Sequence, residues 1–110
     1  MESAIQTAIQ DYLQLLENQG RLVYIKNNSG AIPVQGKFGR QRFVRFGKKG
    51  SSDFLAFMNG YTLFLEVKAP KGRQSKFQKA FQQMVEGQGF EYHIVYSVDE
   101  VEIQVKKYLD

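Results

Sequence analysis

The chain has no cysteine among its 110 residues. Disulfides, thiolate zinc sites and a cysteine nucleophile are therefore excluded. No apolar run approaches the roughly 20 residues that a membrane-spanning helix needs. The first residues, Met1 to Gln6, have the polar character of a helix start rather than of a signal peptide. These absences predict a protein of the reducing cytoplasm that has no contact with a membrane.

Acidic residues are nearly missing from the middle of the chain. Between Asn18 and Val85 there are thirteen Lys or Arg residues and two acids, Asp53 and Glu66. A basic stretch of this kind suits a polyanionic partner, usually a nucleic acid. It is equally compatible with a solvated basic surface that serves solubility. Charge alone leaves both interpretations open.

The hydrophobic content of 43%, with nine Phe and six Tyr, predicts one folded domain over residues 1–110. The pattern predicts a helix, three or four strands, a helix, a strand and a helix, which form a small α/β sandwich with a mixed sheet. The predicted helices are 3–19, 75–86 and 99–109, and the predicted strands are 22–26, 41–46, 53–58, 61–69 and 92–97. Residues 27–39, rich in Asn, Gly, Ser and Pro, are predicted to form a loop.

Side-chain spacing also predicts how the helices begin and which faces they bury. Ser3 with Gln6, and Asp99 with Glu102, resemble capping boxes, while Ser75 is the predicted N-cap of the second helix. The predicted apolar stripe of that second helix consists of Phe77, Phe81, Met84 and Val85.

Asn59-Gly60, between two apolar and aromatic runs, is the strongest short signal for a β-hairpin. A two-residue loop at this point makes paired residue numbers sum to 119, so that Asp53 faces Glu66. Because side chains alternate along a strand, Lys68 shares their face. The opposite face is predicted to pack under a helix and consists of Phe54, Ala56, Met58, Leu63, Leu65 and Val67.

Two carboxylates facing each other about 5 Å apart repel by about 3 kcal/mol at an effective dielectric near 20. A purely structural hairpin has no reason to hold such a pair. A divalent cation between the two carboxylates makes the arrangement favourable, because it takes oxygen ligands from both. Alternatively, these are charges at strand ends, with Asp53 a turn residue and Glu66 paired with Lys68. Glu-x-Lys alone is weak evidence, but the register and the acid-poor surroundings make the combination more specific.

Gly50-Ser51-Ser52-Asp53, followed after twelve residues by Glu66-Val67-Lys68, resembles the PD-(D/E)XK nuclease superfamily. More narrowly, the chain resembles the VRR-NUC family of virus-type replication and repair nucleases. That family also has an N-terminal helix opening with Glu, here Glu2, and a Ser-x-x-Gln helix start, here Ser75 to Gln78. Ser52 stands where the superfamily's nominal motif has Pro, a position that supplies no ligand. The resemblance implies the restriction-endonuclease-like core of that superfamily.

The resemblance implies Mg²⁺ or Mn²⁺ bound by Asp53, Glu66 and the backbone carbonyl of Val67. Glu2 would add a carboxylate, although an acid at a helix N-terminus is also favourable without any metal. Lys68 would contact the scissile phosphate or orient the attacking water. Gln78 would reach Lys68 or the phosphate, where a solvent-exposed helix Gln is the plainer interpretation. The basic residues predicted to contact the DNA backbone are Lys37, Arg40, Arg42, Arg45, Lys48, Lys49, Lys71, Arg73, Lys76 and Lys79.

Together these features predict a metal-dependent DNA endonuclease. Stand-alone members of the family resemble junction resolvases, which implies a homodimer acting on branched DNA, with Holliday junctions the leading substrate. The expected location is the cytoplasm of a bacterium or of a phage-infected host cell. A less selective DNA nuclease and a non-catalytic nucleic-acid-binding module are the alternatives. A sequence-specific restriction-type enzyme is disfavoured because the chain has no evident recognition element.

Overall fold

A computed structural model of the chain describes residues 2–27, 30–35, 41–46 and 50–109, and of 30–35 and 41–46 it describes the backbone alone. The elements in chain order are α1 (Glu2–Asn18), β1 (Val23–Lys26), β2 (Gly30–Gln35), β3 (Gln41–Phe46), β4 (Phe54–Met58), β5 (Tyr61–Val67), α2 (Lys76–Gly87), β6 (Glu91–Val95) and α3 (Val98–Lys106). None of the helices in these residues is both long enough and apolar enough to cross a membrane.

The principal sheet has the order β1-β4-β5-β6, and it is mixed as predicted. Strands β1, β4 and β5 are antiparallel neighbours, whereas β5 and β6 run parallel. Asn59 and Gly60 both have positive φ, at 49° and 82°, which a type I′ hairpin turn requires. Phe54 pairs with Leu65 and Leu55 with Phe64. These pairs confirm the register that was derived from the two-residue turn.

The predicted inner face of the hairpin is the core of the molecule. All six of its residues, from Phe54 to Val67, are buried. Helix α1 packs Ile9 and Leu13 onto this face, and α3 adds Val101 and Val105. Helix α2 lies on the opposite face, where the Phe81 ring is 6.0 Å from the Phe64 ring. The result is the predicted α/β sandwich, with α1 and α3 on one side of the sheet and α2 on the other.

The prediction of a loop over residues 27–39 was wrong for residues 30–35, which form strand β2, and five strands rather than three or four precede α2. Strand β2 pairs antiparallel with β3 in a separate two-stranded sheet. Pro33 lies within β2 opposite Phe43. Proline is tolerated there because both strands of such a sheet are edges. Local composition hid this strand, since its stabilising partner lies elsewhere in the chain.

Two predictions about the later helices were also wrong. Helix α3 is capped by Ser97, whose hydroxyl accepts a hydrogen bond from the Glu100 N–H, rather than by Asp99 with Glu102, and it ends at Lys106. Ser97 had been assigned to the preceding strand, yet Ser-x-x-Glu is itself a capping pattern. In α2, Met84 and Phe77 keep 53% and 41% of their surface exposed, so only half of the predicted stripe faces the sheet.

Candidate active site

Asp53 is the residue immediately before β4, and the backbone around it is braced from three directions. The Asn27 backbone N–H donates to the Asp53 carbonyl at 2.8 Å, and the Asn27 side chain donates to the Ser52 carbonyl at 2.9 Å. Ser52 is fully buried, and its hydroxyl donates to the Phe54 carbonyl at 3.4 Å. Gly50 has φ +81°, and a Cβ there would overlap the backbone carbonyl group of Phe77 in α2. The glycine of the Gly-x-x-Asp pattern thus allows this turn to pack directly against α2.

The Asp53 carboxylate is half-buried beside the end of β5. Its Oδ2 accepts the Val67 N–H at 2.7 Å, and its Oδ1 accepts from the Gln6 side chain at 3.3 Å. Burial raises the pKa of Asp53 above its ordinary value, and the charges of Glu2 and Glu66 act in the same direction. The hydrogen bond from Val67 and the charge of Lys68 oppose that rise. The net effect of these surroundings is to make the ionised form of Asp53 less favourable than it would be in water.

Glu66, on β5, is fully buried. One carboxylate oxygen, Oε1, accepts from the Tyr92 hydroxyl at 2.6 Å and from the Gln74 side chain at 2.9 Å. The other oxygen, Oε2, is buried without a hydrogen-bond partner. An unpaired buried carboxylate oxygen costs free energy unless a cation or donor occupies the space beside it.

Lys68 follows β5 and brings its ammonium group to the unpaired oxygen. The Lys68 Nζ lies 3.7 Å from Glu66 Oε2, and its side chain is 11% exposed. This separation is within ion-pair range but beyond hydrogen-bond range. The predicted grouping of Lys68 with Asp53 and Glu66 is what the structure brings together. Their predicted roles in metal binding and catalysis stay predictions, and the Glu66–Lys68 contact is also what a structural ion pair would show.

Tyr92 and Gln74 are site neighbours that sequence reasoning missed. Tyr92 is 6% exposed, and its ring packs parallel to that of Phe64, with centroids 6.4 Å apart. Burial raises the pKa of Tyr92 far above its ordinary value, with the hydrogen bond to Glu66 adding to the rise, so the hydroxyl remains a donor. The parallel pairing of β6 with β5 brings Tyr92 here. A Tyr at the start of the predicted strand 92–97 was the available signal, because a buried Tyr hydroxyl usually finds a partner.

The N-terminal turn of α1 also lies beside the site. The predicted capping box of Ser3 with Gln6 was wrong, because α1 begins at Glu2 and already includes both residues. The Gln6 side chain instead donates a hydrogen bond to Asp53. Glu2 is half-buried, and its charge contributes to the raised pKa of Asp53. Within the described residues, however, no group of three His, Asp or Glu side chains is placed to hold a metal ion. Glu2 as a further ligand therefore stays a prediction.

Gln78 takes part in the N-terminal cap of α2. Its Oε1 accepts the Ser75 N–H at 2.8 Å, and its own N–H donates to the Ser75 hydroxyl at 3.1 Å. This reciprocal pair is the capping box of α2. The glutamine near this cap that contacts Glu66 is instead Gln74, just before the cap. A role for Gln78 at the phosphate stays a prediction alongside its observed role in the cap.

The acidic pair and its surroundings fit a divalent cation. Two carboxylates and the backbone carbonyl of Val67 would supply oxygen ligands only, the set that Mg²⁺ and Mn²⁺ favour. The buried, unpaired Oε2 of Glu66 is the observation that supports this fit. Lys68, with its ammonium beside that oxygen, is placed to neutralise part of the carboxylate charge when no cation is bound.

The predicted DNA-contacting residues divide into three groups. Lys71, Arg73, Lys76 and Lys79 lie exposed between β5 and the first turns of α2. Arg42 and Arg45 lie on β3, opposite Val34 and Ala31 of β2. The remaining four, Lys37, Arg40, Lys48 and Lys49, lie outside the described residues. The first group follows Lys68 directly along the chain. Its four exposed positive charges support a basic surface beside the acidic pair, here called the basic margin.

Comparison with known proteins identifies the family to which this architecture corresponds. The family model described as the VRR-NUC domain matches residues 2–99. A solved structure titled "VRR_NUC domain" superposes with a TM-score of 0.64 at 17% sequence identity, covering 97% of this chain and 96% of that one. A search of curated proteins found no match. The family match spans both the acidic pair and the elements that surround it, and the structural likeness shows the shared fold.

Proposed function

This chain belongs to the VRR-NUC domain family of PD-(D/E)XK-type nucleases, and we propose that it is a metal-dependent endonuclease that hydrolyses DNA phosphodiesters. Residues 1–110 act as one nuclease domain in this proposal. The observation that carries it is the fully buried Glu66, whose Oε2 has no hydrogen-bond partner and lies 3.7 Å from Lys68 Nζ, with the Asp53 carboxylate bound to the next residue, Val67. A divalent cation bound beside Oε2 would account for a buried carboxylate held in this state.

In this proposal the acidic pair binds the metal, and the residues around it have other tasks. Asp53 and Glu66, with the Val67 carbonyl, hold Mg²⁺ or Mn²⁺, and Glu2 contributes from α1 directly or through water. A bound divalent cation supplies stabilisation of phosphate charge and a lowered pKa for water. Lys68 brings its ammonium to the scissile phosphate or to the attacking water, where it stabilises the developing negative charge. Gln78 assists at the phosphate, and no covalent intermediate with the protein is required.

Branched DNA is the proposed substrate, with four-way junctions preferred. A chain of this size has little surface for wrapping a branched duplex alone. A two-fold homodimer would place two active sites symmetrically, as paired cuts in a junction require. The exposed basic residues from Lys71 to Lys79, together with those on and around β3, would hold the phosphate backbone without reading sequence. The proposed location is the cytoplasm of a bacterium or phage-infected cell.

A cleavage assay with four DNA substrates tests the proposal. The protein is incubated with Mg²⁺ or Mn²⁺ and with linear duplex, single strand, flap and four-way junction DNA, and each reaction is repeated with EDTA. We expect cutting of the junction above the other three and no cutting in EDTA. Equal cutting of all four would leave a nuclease without structure selectivity. Sedimentation equilibrium on the same preparation tests the dimer, which a monomer mass would overturn.

Matched variants test the active site itself. Lys68→Ala is expected to lower the cleavage rate by about 100-fold or more, since it removes the positive charge that would stabilise the reacting phosphate. Lys107→Ala removes an exposed lysine on the far side of the fold and should leave the rate unchanged. Full activity in Lys68→Ala would refute the assigned site. If Mn²⁺ neither binds nor supports cleavage, and Asp53→Ala leaves DNA binding intact, the chain is a non-catalytic binding module.

A further inference from the structure

The two oxygens of the Glu66 carboxylate differ completely in their surroundings. Oε1 receives two donors, the Tyr92 hydroxyl at 2.6 Å and the Gln74 amide at 2.9 Å, while Oε2 receives none. We propose that Tyr92 and Gln74 are positioning residues that turn Glu66 so that Oε2 is the oxygen presented to the divalent cation. This inference rests on the proposed function, because it assigns how one of the proposed ligands is oriented.

The asymmetry has a direct physical consequence for the carboxylate. The terminal torsion angle of a Glu side chain normally has a broad distribution. Two donors on Oε1 restrict this angle and so fix the orientation of the carboxylate. They also occupy the lone pairs of that oxygen, which can accept about two hydrogen bonds. Oε2 is thereby left as the oxygen with free lone pairs, and Lys68 Nζ stands 3.7 Å from it. Positioning before binding lowers the cost of ordering the ligand when the cation arrives.

Tyr92 is a rigid donor because its ring is confined on several sides. It packs parallel to the Phe64 ring and meets the Phe81 ring edge-on, with centroids 6.1 Å apart. Its strand, β6, is tied to β5 by the parallel ladder that pairs Phe64 with Tyr92 and Glu66 with Ile94. The position of the Tyr92 hydroxyl relative to Glu66 is therefore fixed by the pairing of the two strands.

Gln74 connects the same carboxylate to helix α2. Its Nε2 also donates to the Gln82 Oε1 at 2.8 Å, and Gln82 in turn donates to the Glu86 carboxylate at 3.2 Å. Since Nε2 serves both Glu66 and Gln82, the orientation of the Gln74 amide is defined by its partners. The chain of contacts runs along two turns of α2, so the helix helps to hold the metal-facing carboxylate.

Metal titration without DNA tests the inference independently of cleavage. Mn²⁺ binding is measured by calorimetry for the wild-type protein and for Glu66→Gln, Tyr92→Phe and Gln74→Ala. Tyr92→Phe keeps the ring and removes the hydroxyl alone. Tyr61→Phe, exposed at the turn end of the hairpin, and Gln83→Ala, exposed on α2, are the matched controls. The melting temperature of each variant in EDTA is measured in parallel.

We expect Kd for Mn²⁺ to rise by about tenfold or more in Tyr92→Phe and in Gln74→Ala, as is typical when a group supporting a metal ligand is lost. Glu66→Gln should bind no Mn²⁺, and both controls should bind as the wild type does. A lower melting temperature in EDTA with unchanged Kd in both variants would show structural roles and overturn the inference, while leaving the proposed function standing. Absence of Mn²⁺ binding by the wild type would overturn both. If Tyr92→Phe does not fold, the Kd of Gln74→Ala decides.

Discussion

Asp53 and Glu66 place two like charges in a part of the molecule where burial makes charge costly. Burial raises the pKa of Asp53, and nearby carboxylates add to the rise. Glu66 is fully buried with one oxygen unpaired. Proteins retain such arrangements chiefly where function requires them, since a buried charge without full pairing destabilises the fold. At the scale of single residues this arrangement costs stability, which is consistent with the proposed metal site.

Asp53→Asn is expected to stabilise the metal-free protein at neutral pH. The amide keeps an acceptor for the Val67 N–H but removes the repulsion from Glu2 and Glu66 and the cost of burying charge. Because the folded-state pKa of Asp53 is raised, ionisation weakens the wild type above that pKa, and protonation removes this penalty as pH falls through it. Melting in EDTA at several pH values should show the variant higher at pH 7 and the difference shrinking in acid. A lower melting temperature for Asp53→Asn at pH 7 would contradict this.

Gly50→Ala is expected to destabilise the protein by about 2 kcal/mol or more, because a positive φ is unfavourable for Ala and the new Cβ meets the Phe77 backbone. Gly60→Ala is the matched control. Gly60 has nearly the same φ, +82°, but nothing lies within 4 Å of its Cβ position, so about 1 kcal/mol is expected. Urea denaturation measures both. Equal losses would show that the contact with α2 contributes nothing.

The elements around the site each contribute one or two side chains to it. Helix α1 supplies Gln6, strand β6 supplies Tyr92, and the segment before α2 supplies Gln74. Helix α2 is anchored at its first turn by the Ser75–Gln78 capping box and along its length by Phe81 against the sheet. Its placement therefore influences how Gln74 meets Glu66.

Loss of the α2 cap should weaken the helix measurably. Ser75→Ala is expected to lower the free energy of unfolding by about 1 kcal/mol. Gln78→Glu should cost much less, because Glu serves equally well at the third position of a capping box. Chemical denaturation provides the measurement, and a loss in Gln78→Glu as large as in Ser75→Ala would contradict the capping account. Cleavage per folded molecule in Gln78→Ala, compared with Ser75→Ala, separates the cap from a role at the phosphate.

Over the whole molecule, charge is segregated along the chain. Nine of the eleven acids lie before Asn18 or after Val85, and the two in between form the site. The exposed basic residues after Lys68 would extend a positive margin from the acidic pair. Such a margin attracts polyanions strongly at low salt and much less at high salt.

The salt dependence of DNA binding should report this margin. Replacing Lys71 and Arg73 together by Gln is expected to reduce the slope of log affinity against log salt by about 0.9 per lost phosphate contact. Replacing Lys106 and Lys107, at the end of α3, is a control with the same charge change and should leave the slope unaltered. Fluorescence anisotropy in EDTA measures binding without cleavage. Identical slopes for both double variants would place the DNA elsewhere.

Local sequence determined much of this protein, because its strongest signals act over short distances. A two-residue turn at Asn59-Gly60 sets the hairpin register as far as the pair Phe54–Leu65, and Asp53, the next residue, contacts the end of β5 at Val67. Alternation along the strands then puts Lys68 with the acidic pair, and six apolar residues in the core. Helical periodicity and the Ser75 cap located α1 and α2 to within a residue or two.

Tertiary structure alone decided which side chains support the acidic pair. Tyr92 reaches Glu66 because β6 runs parallel beside β5, and Gln6 reaches Asp53 because α1 packs across the sheet. Strand β2 pairs with β3, although the Asn, Gly, Ser and Pro residues of the segment 27–39 gave it the composition of a loop. Local propensity cannot anticipate such contacts, since their free energy comes from a partner that the fold supplies. The acidic pair could thus be predicted from one hairpin, whereas the side chains that donate to it, Gln6, Gln74 and Tyr92, come from the rest of the molecule.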